Sequence, residues 1–170
     1  MVAGERRFTL VPPEQIETLY VGPIDRTPSG QAISLVDFNN PDFEKFPRFA
    51  EALKHAQICD MEPGDAIFLP SMWWHHVASF SAYNILVNYW WTGNPATTSS
   101  PSAALMHGIL ALRDLPERQR AAWKMLFDHY VFSADSSVYE HIPEAGRGCL
   151  APLDESTTQI LRNEMMRRLG

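Results

Sequence analysis

The chain reads as mainly β over its first half with C-terminal helices, and three features carry that reading. Arg6 to Val11 alternates across two faces and stops at a proline pair. Ala66 to Leu69 and Asn84 to Trp91 are apolar, aromatic-rich runs bounded by proline and glycine. Beyond residue 100 the apolar side chains recur at helical spacing instead.

In the first strand, Arg6, Phe8 and Leu10 share one face, while Arg7 and Thr9 take the other. Taken alone, both arginines read as solvated charges on an edge strand. Residues 12–50 carry six prolines, from Pro12 to Pro47, with Gly22 and Gly30 between them. Such punctuation argues for a long ordered loop. A helical turn fits Glu14 to Leu19, and a helix fits Asp42 to His55, interrupted by Pro47 so that Arg48 to His55 is its longer part. His55 then reads as a surface helix residue.

Ile58 to Met61 is a short strand leading into Pro63-Gly64. That pair is the signature of a type II turn, because proline fixes φ at its second position and glycine accepts a positive φ at its third. A strand should follow from Asp65 or Ala66 and end at Pro70. In the run Asn84–Trp91, Leu86, Asn88 and Trp90 fall on one face and Ile85, Val87, Tyr89 and Trp91 on the other. A lone amide among large hydrophobes needs a partner if it is buried.

Residues 96–102, ATTSSPS, read as a linker ending in an N-cap, with Ser100 capping and Pro101 at the first helical position. Leu105, Ile109 and Leu112 make one helical stripe, Trp123, Phe127 and Tyr130 a second, and Pro116 separates them. Ser133 to Pro152 is irregular. Ser156 with Gln159 forms a capping box for a last helix, whose stripe is Leu161, Met165 and Leu169 and whose closing Arg162, Arg167 and Arg168 suit the helix dipole. The domain division expected is 1–95 for the β part and 96–170 for the helical part.

Gly64 to Trp91 concentrates the chemistry, with a histidine pair and four of the five tryptophans in one stretch. Adjacent residues on a strand face opposite ways, so His75 and His76 cannot serve one metal together. The spacing from Gly64 to Pro70 to His75 resembles the second motif of the cupin barrels, in which this histidine is a metal ligand. Without that likeness, a histidine among tryptophans is more often structural, and Trp73, Trp74 and Trp91 are more often core.

The run PSMWWHHVASFSAYNILVNYWW resembles the distal-histidine region of JmjC-type cupins, and within them the asparaginyl hydroxylase that modifies hypoxia-inducible factor and its bacterial cupin-like relatives. GERRFTLVPPEQIETLYVGPID and VDFNNPDFEKFPRFAEAL resemble the same family in the same order, so the likeness covers residues 4–95. It implies a double-stranded β-helix, an iron(II) centre of two histidines and a carboxylate, and 2-oxoglutarate and dioxygen as co-substrates. Matched residue by residue, His75 falls on the distal iron ligand and Arg6 on the basic residue that grips the far carboxylate of 2-oxoglutarate, where a guanidinium can pair bidentately. Asn88 and Trp90 match residues lining the cofactor and substrate pocket. The resemblance also implies a homodimer formed through the C-terminal helices; intrachain packing of the same stripes is the alternative.

One departure qualifies all of this. The family's other two ligands come from a His-x-Asp or His-x-Glu motif upstream of the GERRF segment, and none of the six histidines here is followed two residues on by Asp or Glu. The expectation is therefore a partial double-stranded β-helix lacking its first strands, with unpaired edges and weak or no metal binding by the chain alone.

Composition sets the outer bounds. A length of 170 residues with 45% apolar content suits one domain with a sizeable core. The formal charge of −6 gives no basic footprint, which argues against nucleic acid. Two cysteines without a CxxC read as reduced thiols, no signal-peptide core is present, and no apolar run approaches the ~20 residues of a membrane span. A cytoplasmic protein is expected. The leading functional expectation is the C-terminal part of a JmjC-type oxygenase acting on a protein side chain or a small molecule. A non-catalytic binding or dimerisation module is the alternative; another cupin activity, such as isomerisation, has no feature in its favour.

Overall fold

The computed structural model describes residues 1–170 apart from Pro28, Ser29, Asn94, Ala96 to Thr98, Ala134, Gly170 and the side chain of Leu169. The linker expected over 96–102 lies partly, and the Leu169 side chain of the last helical stripe wholly, outside the described residues. The chain divides into two compact units, Met1–Trp90 and Trp91–Gly170.

The first unit is built on a three-stranded antiparallel sheet of β1 (Arg6–Val11), β2 (Gln57–Met61) and β3 (Trp74–Ser79), in the order β2-β1-β3. β1 is central. It pairs with β2 from Arg6 opposite Met61 to Leu10 opposite Gln57, and with β3 from Arg6 opposite Ser79 to Val11 opposite Trp74. The strand stops where Pro12-Pro13 removes two ladder donors, and a 3-10 turn over Pro13–Gln15 carries the chain away. A short helix, α1 (Phe49–Lys54), starts after Pro47, as proline in a helix interior requires.

Each face of the sheet has its own core. On one face Val11 packs with Leu19, Val36, Phe49 and Ala52, and the fully buried Phe49 ring meets Phe38 edge-on at 4.8 Å. On the other, Phe8, Leu10 and Met61 are buried under Ile67, Leu69, Trp73 and Leu86. The type II turn forms as its residues dictate: Asp65 N donates to Glu62 O at 3.1 Å across Pro63 and Gly64, and Gly64 takes φ +101°.

The strands expected at Ala66–Leu69 and Asn84–Trp91 are absent. Of these residues only Ile85 pairs, in an isolated bridge with Ala3. Strand formation requires a partner to take up backbone N–H and C=O groups, and the described residues offer these runs none of matching length. The fold is therefore not mainly β, and a double-stranded β-helix is not confirmed: the described residues form a small antiparallel sheet and four helices.

The second unit holds three of those helices. In α2 (Pro101–Leu112), Ser100 Oγ accepts from Ala103 N at 3.3 Å and Pro101 opens the helix. α3 (Glu117–Phe127) begins after Pro116 and runs into a π-helical turn over Asp128–Phe132. Short 3-10 turns lead to α4 (Glu155–Leu169). The cap of α4 is two residues earlier than expected: Asp154 Oδ1 accepts from Thr157 N at 2.7 Å and Thr157 Oγ1 accepts from Asp154 N at 2.9 Å, a reciprocal box that displaces Ser156 and Gln159 from the role. Among the described residues of this unit only Val138 and Thr158 are buried. No helix among the described residues is long and apolar enough to cross a membrane.

Candidate functional site

The register between β1 and β3 sorts the candidate residues by face. Arg6, Phe8 and Leu10 lie opposite Ser79, Val77 and His75, so all six share one side of the sheet; Arg7, Thr9 and Val11 share the other with Ala78, His76 and Trp74. The adjacent histidines are thus separated. His76 stacks on the Phe38 ring, centroids 5.0 Å apart and planes 14° apart, as part of the Phe49 core. Its burial there pushes the imidazole below its ordinary pKa, against an opposing pull from Asp37.

His75 is exposed on the Arg6 face, with Nδ1 3.4 Å from the Trp73 carbonyl. With the proton on Nδ1, that carbonyl accepts it and Nε2 presents its lone pair outward, the arrangement a metal-binding imidazole uses. Arg6 lies four residues along β1 from the partner of His75, about 14 Å at the rise of a strand.

Arg6 is half-buried beside Met61, and its Nε donates to Asn84 Oδ1 at 3.3 Å. Asn84 Nδ2 in turn donates to Ser81 O at 2.8 Å. The strand's other arginine is spent differently: Arg7 Nε and Nη2 grip the Asp60 carboxylate at 2.6 and 2.8 Å and the guanidinium lies 5.5 Å over the Phe80 ring. That pairing holds the Asp60 carboxyl below its usual range. An open depression of about 310 Å³ is lined by Glu5, Arg6, Arg7, Asp60, Met61, Glu62 and Phe80.

Asn88 and Trp90 follow the Ala3–Ile85 bridge on a stretch without regular secondary structure; both are exposed, Trp90 by 86%. Among the described residues, neither shares a hydrogen bond or ring contact with Arg6 or His75. Two residues that sequence reasoning passed over stand at the site instead. Asn84 read as the first residue of a strand, and Gly4 drew no reading; a glycine two residues before a strand is too common to interpret, and nothing local marks Asn84.

Iron fits these residues incompletely. A facial triad takes two histidines and a carboxylate, and among the described residues no three His, Cys, Asp or Glu side chains gather in a group able to hold a metal. His75 is one ligand without companions. A carboxylate anion fits better, because Arg6 presents a half-buried cation to the same face.

A model of the cupin-like domain matches residues 1–97. The tRNA wybutosine-synthesizing protein 5 of Gallus gallus is 33% identical over 134 residues, covering 70% of this chain and 39% of that protein. HSPB1-associated protein 1 of Homo sapiens is 36% identical over 89 residues, covering 52% and 18%. The lysine-specific demethylase JMJ31 of Arabidopsis thaliana is 35% identical over 94 residues, covering 55% and 17%. The chain therefore spans well under half the length of these relatives. The first likeness takes in more of the chain than the cupin-like match does, and so reaches into the helical unit.

Proposed function

The chain belongs to the cupin-like domain family, and from that premise we propose that its first unit is the distal-histidine and 2-oxoglutarate-binding part of an iron(II)- and 2-oxoglutarate-dependent oxygenase of the JmjC type, akin to the asparaginyl hydroxylase of hypoxia-inducible factor. One observation carries the reading: Arg6 and His75, matched independently by resemblance, lie on the same face of adjacent strands. Their separation of about 14 Å suits an arginine side chain reaching inward to a five-carbon dicarboxylate whose other end lies toward the imidazole. Arg6 would bind and orient 2-oxoglutarate, His75 would contribute one ligand, and Asn88 and Trp90 would line the pocket once their segment is covered.

The described residues do not complete an iron site, so the chain alone is not expected to turn over. Metal analysis after anaerobic incubation with iron(II) should give well under one iron per chain; stoichiometric retention would contradict this expectation. Coding sequence directly upstream of Met1 offers the companion test. An in-frame His-x-Asp supports the oxygenase, and its absence hands the assignment to the second reading, a binding or dimerisation module, which the missing ligand group favours.

The protein is further proposed to be a homodimer joined through its second unit. Leu105, Leu110, Trp123 and Phe132 are 55%, 80%, 44% and 75% exposed, a large apolar surface for helices with so little buried between them. The substrate proposed is a protein side chain or a small molecule.

A further inference from the structure

We propose that Asn84 is the positioning residue for Arg6. It holds the guanidinium by Nε so that both terminal NH2 groups face an anionic ligand's carboxylate, and Gly4 is what lets it come close enough. This rests on the reading of Arg6 as the 2-oxoglutarate anchor.

A guanidinium has one donor on Nε and two on each terminal nitrogen. With Nε given to Asn84 Oδ1 at 3.3 Å, the two terminal nitrogens remain as a parallel fork, the geometry that pairs with a carboxylate. The amide's orientation is fixed from behind, since Nδ2 donates to Ser81 O at 2.8 Å and so leaves Oδ1 turned toward the arginine. The loop that carries Asn84 is itself tied to β1: Glu5 N donates to Ser81 Oγ at 3.1 Å, Phe80 N donates to Glu5 O at 3.0 Å, and Ile85 N donates to Ala3 O at 2.9 Å.

Gly4 sits inside that corner. Its φ is +78°, and a Cβ there would stand 2.4 Å from Tyr83 O and 2.7 Å from Asn84 Cγ. Both the backbone angle and the close approach demand glycine.

The neutral partner also has a reason. Arg7 shows the alternative on the same strand, a guanidinium occupied and neutralised by Asp60. An amide at position 84 orients Arg6 without cancelling its charge, which leaves the cation available to an incoming anion. Among the described residues, Arg6 makes no ion pair.

The test reads the side chain directly and then its use. In the full chain, nitrogen-15 NMR should show the Arg6 Nε proton slowed in exchange, and Asn84→Ala should return it to solvent-like exchange. Binding of 2-oxoglutarate without metal, followed by ligand-observed NMR with acetate as the control, should be lost in Arg6→Ala and weakened about fivefold in Asn84→Ala. In an Arg6→Lys background Asn84→Ala should change nothing more, because lysine carries a methylene where arginine carries Nε.

A purely structural role for Asn84 predicts otherwise: it would weaken binding equally in both backgrounds, and that result overturns the proposal. If Arg6→Ala abolishes binding while Asn84→Ala leaves it intact, the positioning inference alone falls. If the unsubstituted chain ignores 2-oxoglutarate, the anchor reading falls and takes this one with it. Should Asn84→Ala not fold, unprotected exchange at Nε in the unsubstituted chain is sufficient to refute it.

Discussion

At the scale of single residues, the sharpest expectations concern Gly4 and Phe49. Gly4→Ala forces a side chain into Tyr83 O and Asn84 and strains a positive φ, so a loss of about 1–3 kcal/mol in unfolding free energy is expected from denaturant titration. An unchanged midpoint would mean that the corner is looser than its distances. Phe49→Ala empties the middle of a core in which the ring is fully buried against Phe38, and should cost about 3–5 kcal/mol. The face Arg6 takes, shared with Phe8 and Leu10, was legible from strand parity, whereas its proposed role as an anion anchor came only from the resemblance. The separation of His75 from His76 was legible for the same reason, since alternation forbids both from facing one way; the choice between them came from the resemblance. Asn84 was not legible: its role depends on a contact 78 residues away in sequence, and no local pattern encodes that.

At the scale of elements, what could be read depended on whether the signal was local. β1, β2 and the starts of α2 and α3 are marked by prolines and caps that act within a few residues, and they stand where expected. The two absent strands were misjudged for one physical reason. Apolar, aromatic composition announces capacity to pair, but pairing is a property of two segments; Trp74–Ser79 found β1 as a neighbour, while Asn84–Trp91 found only Ala3. The α4 cap was misplaced by competition. Asp154 and Thr157 satisfy each other's backbone groups at a spacing that Ser156 and Gln159 also offer, and a carboxylate accepts from backbone N–H more strongly than a hydroxyl.

That cap also has a pH signature. The Thr157 backbone N–H, reinforced by the Thr157 hydroxyl, holds the Asp154 carboxyl below its ordinary range. Its folded pKa lies under its unfolded one, so the stabilisation is complete above about 3.9 and disappears as pH falls through the folded value. Circular dichroism at 222 nm should therefore show part of the helical signal fading on acidification below that range. Asp154→Ala should lower the signal at neutral pH and remove that portion of the acid response; an identical acid profile would refute the cap's contribution.

At the scale of the whole molecule, the two units differ in how well they cover their own apolar surface. Met1–Trp90 has two cores, one on each face of its sheet, whereas Trp91–Gly170 leaves Leu105, Trp123, Phe127, Tyr130 and Met165 of its helical stripes exposed. An open groove lined by Leu105, Ile109, Leu112, Trp123 and Phe127 runs between α2 and α3. Size-exclusion chromatography with light scattering at micromolar concentration should report a dimer, and Trp123→Glu should shift it to monomer. A monomeric unsubstituted chain would retire the homodimer proposal.

The irregular stretch after Ile85 gives the protein a built-in optical gauge. Trp90 and Trp91 are 86% and 73% exposed, while Trp73 and Trp74 are shielded on the sheet. Intrinsic emission should consequently be red-shifted and readily quenched by acrylamide, and whatever comes to cover that stretch will announce itself as a blue shift, with no label attached.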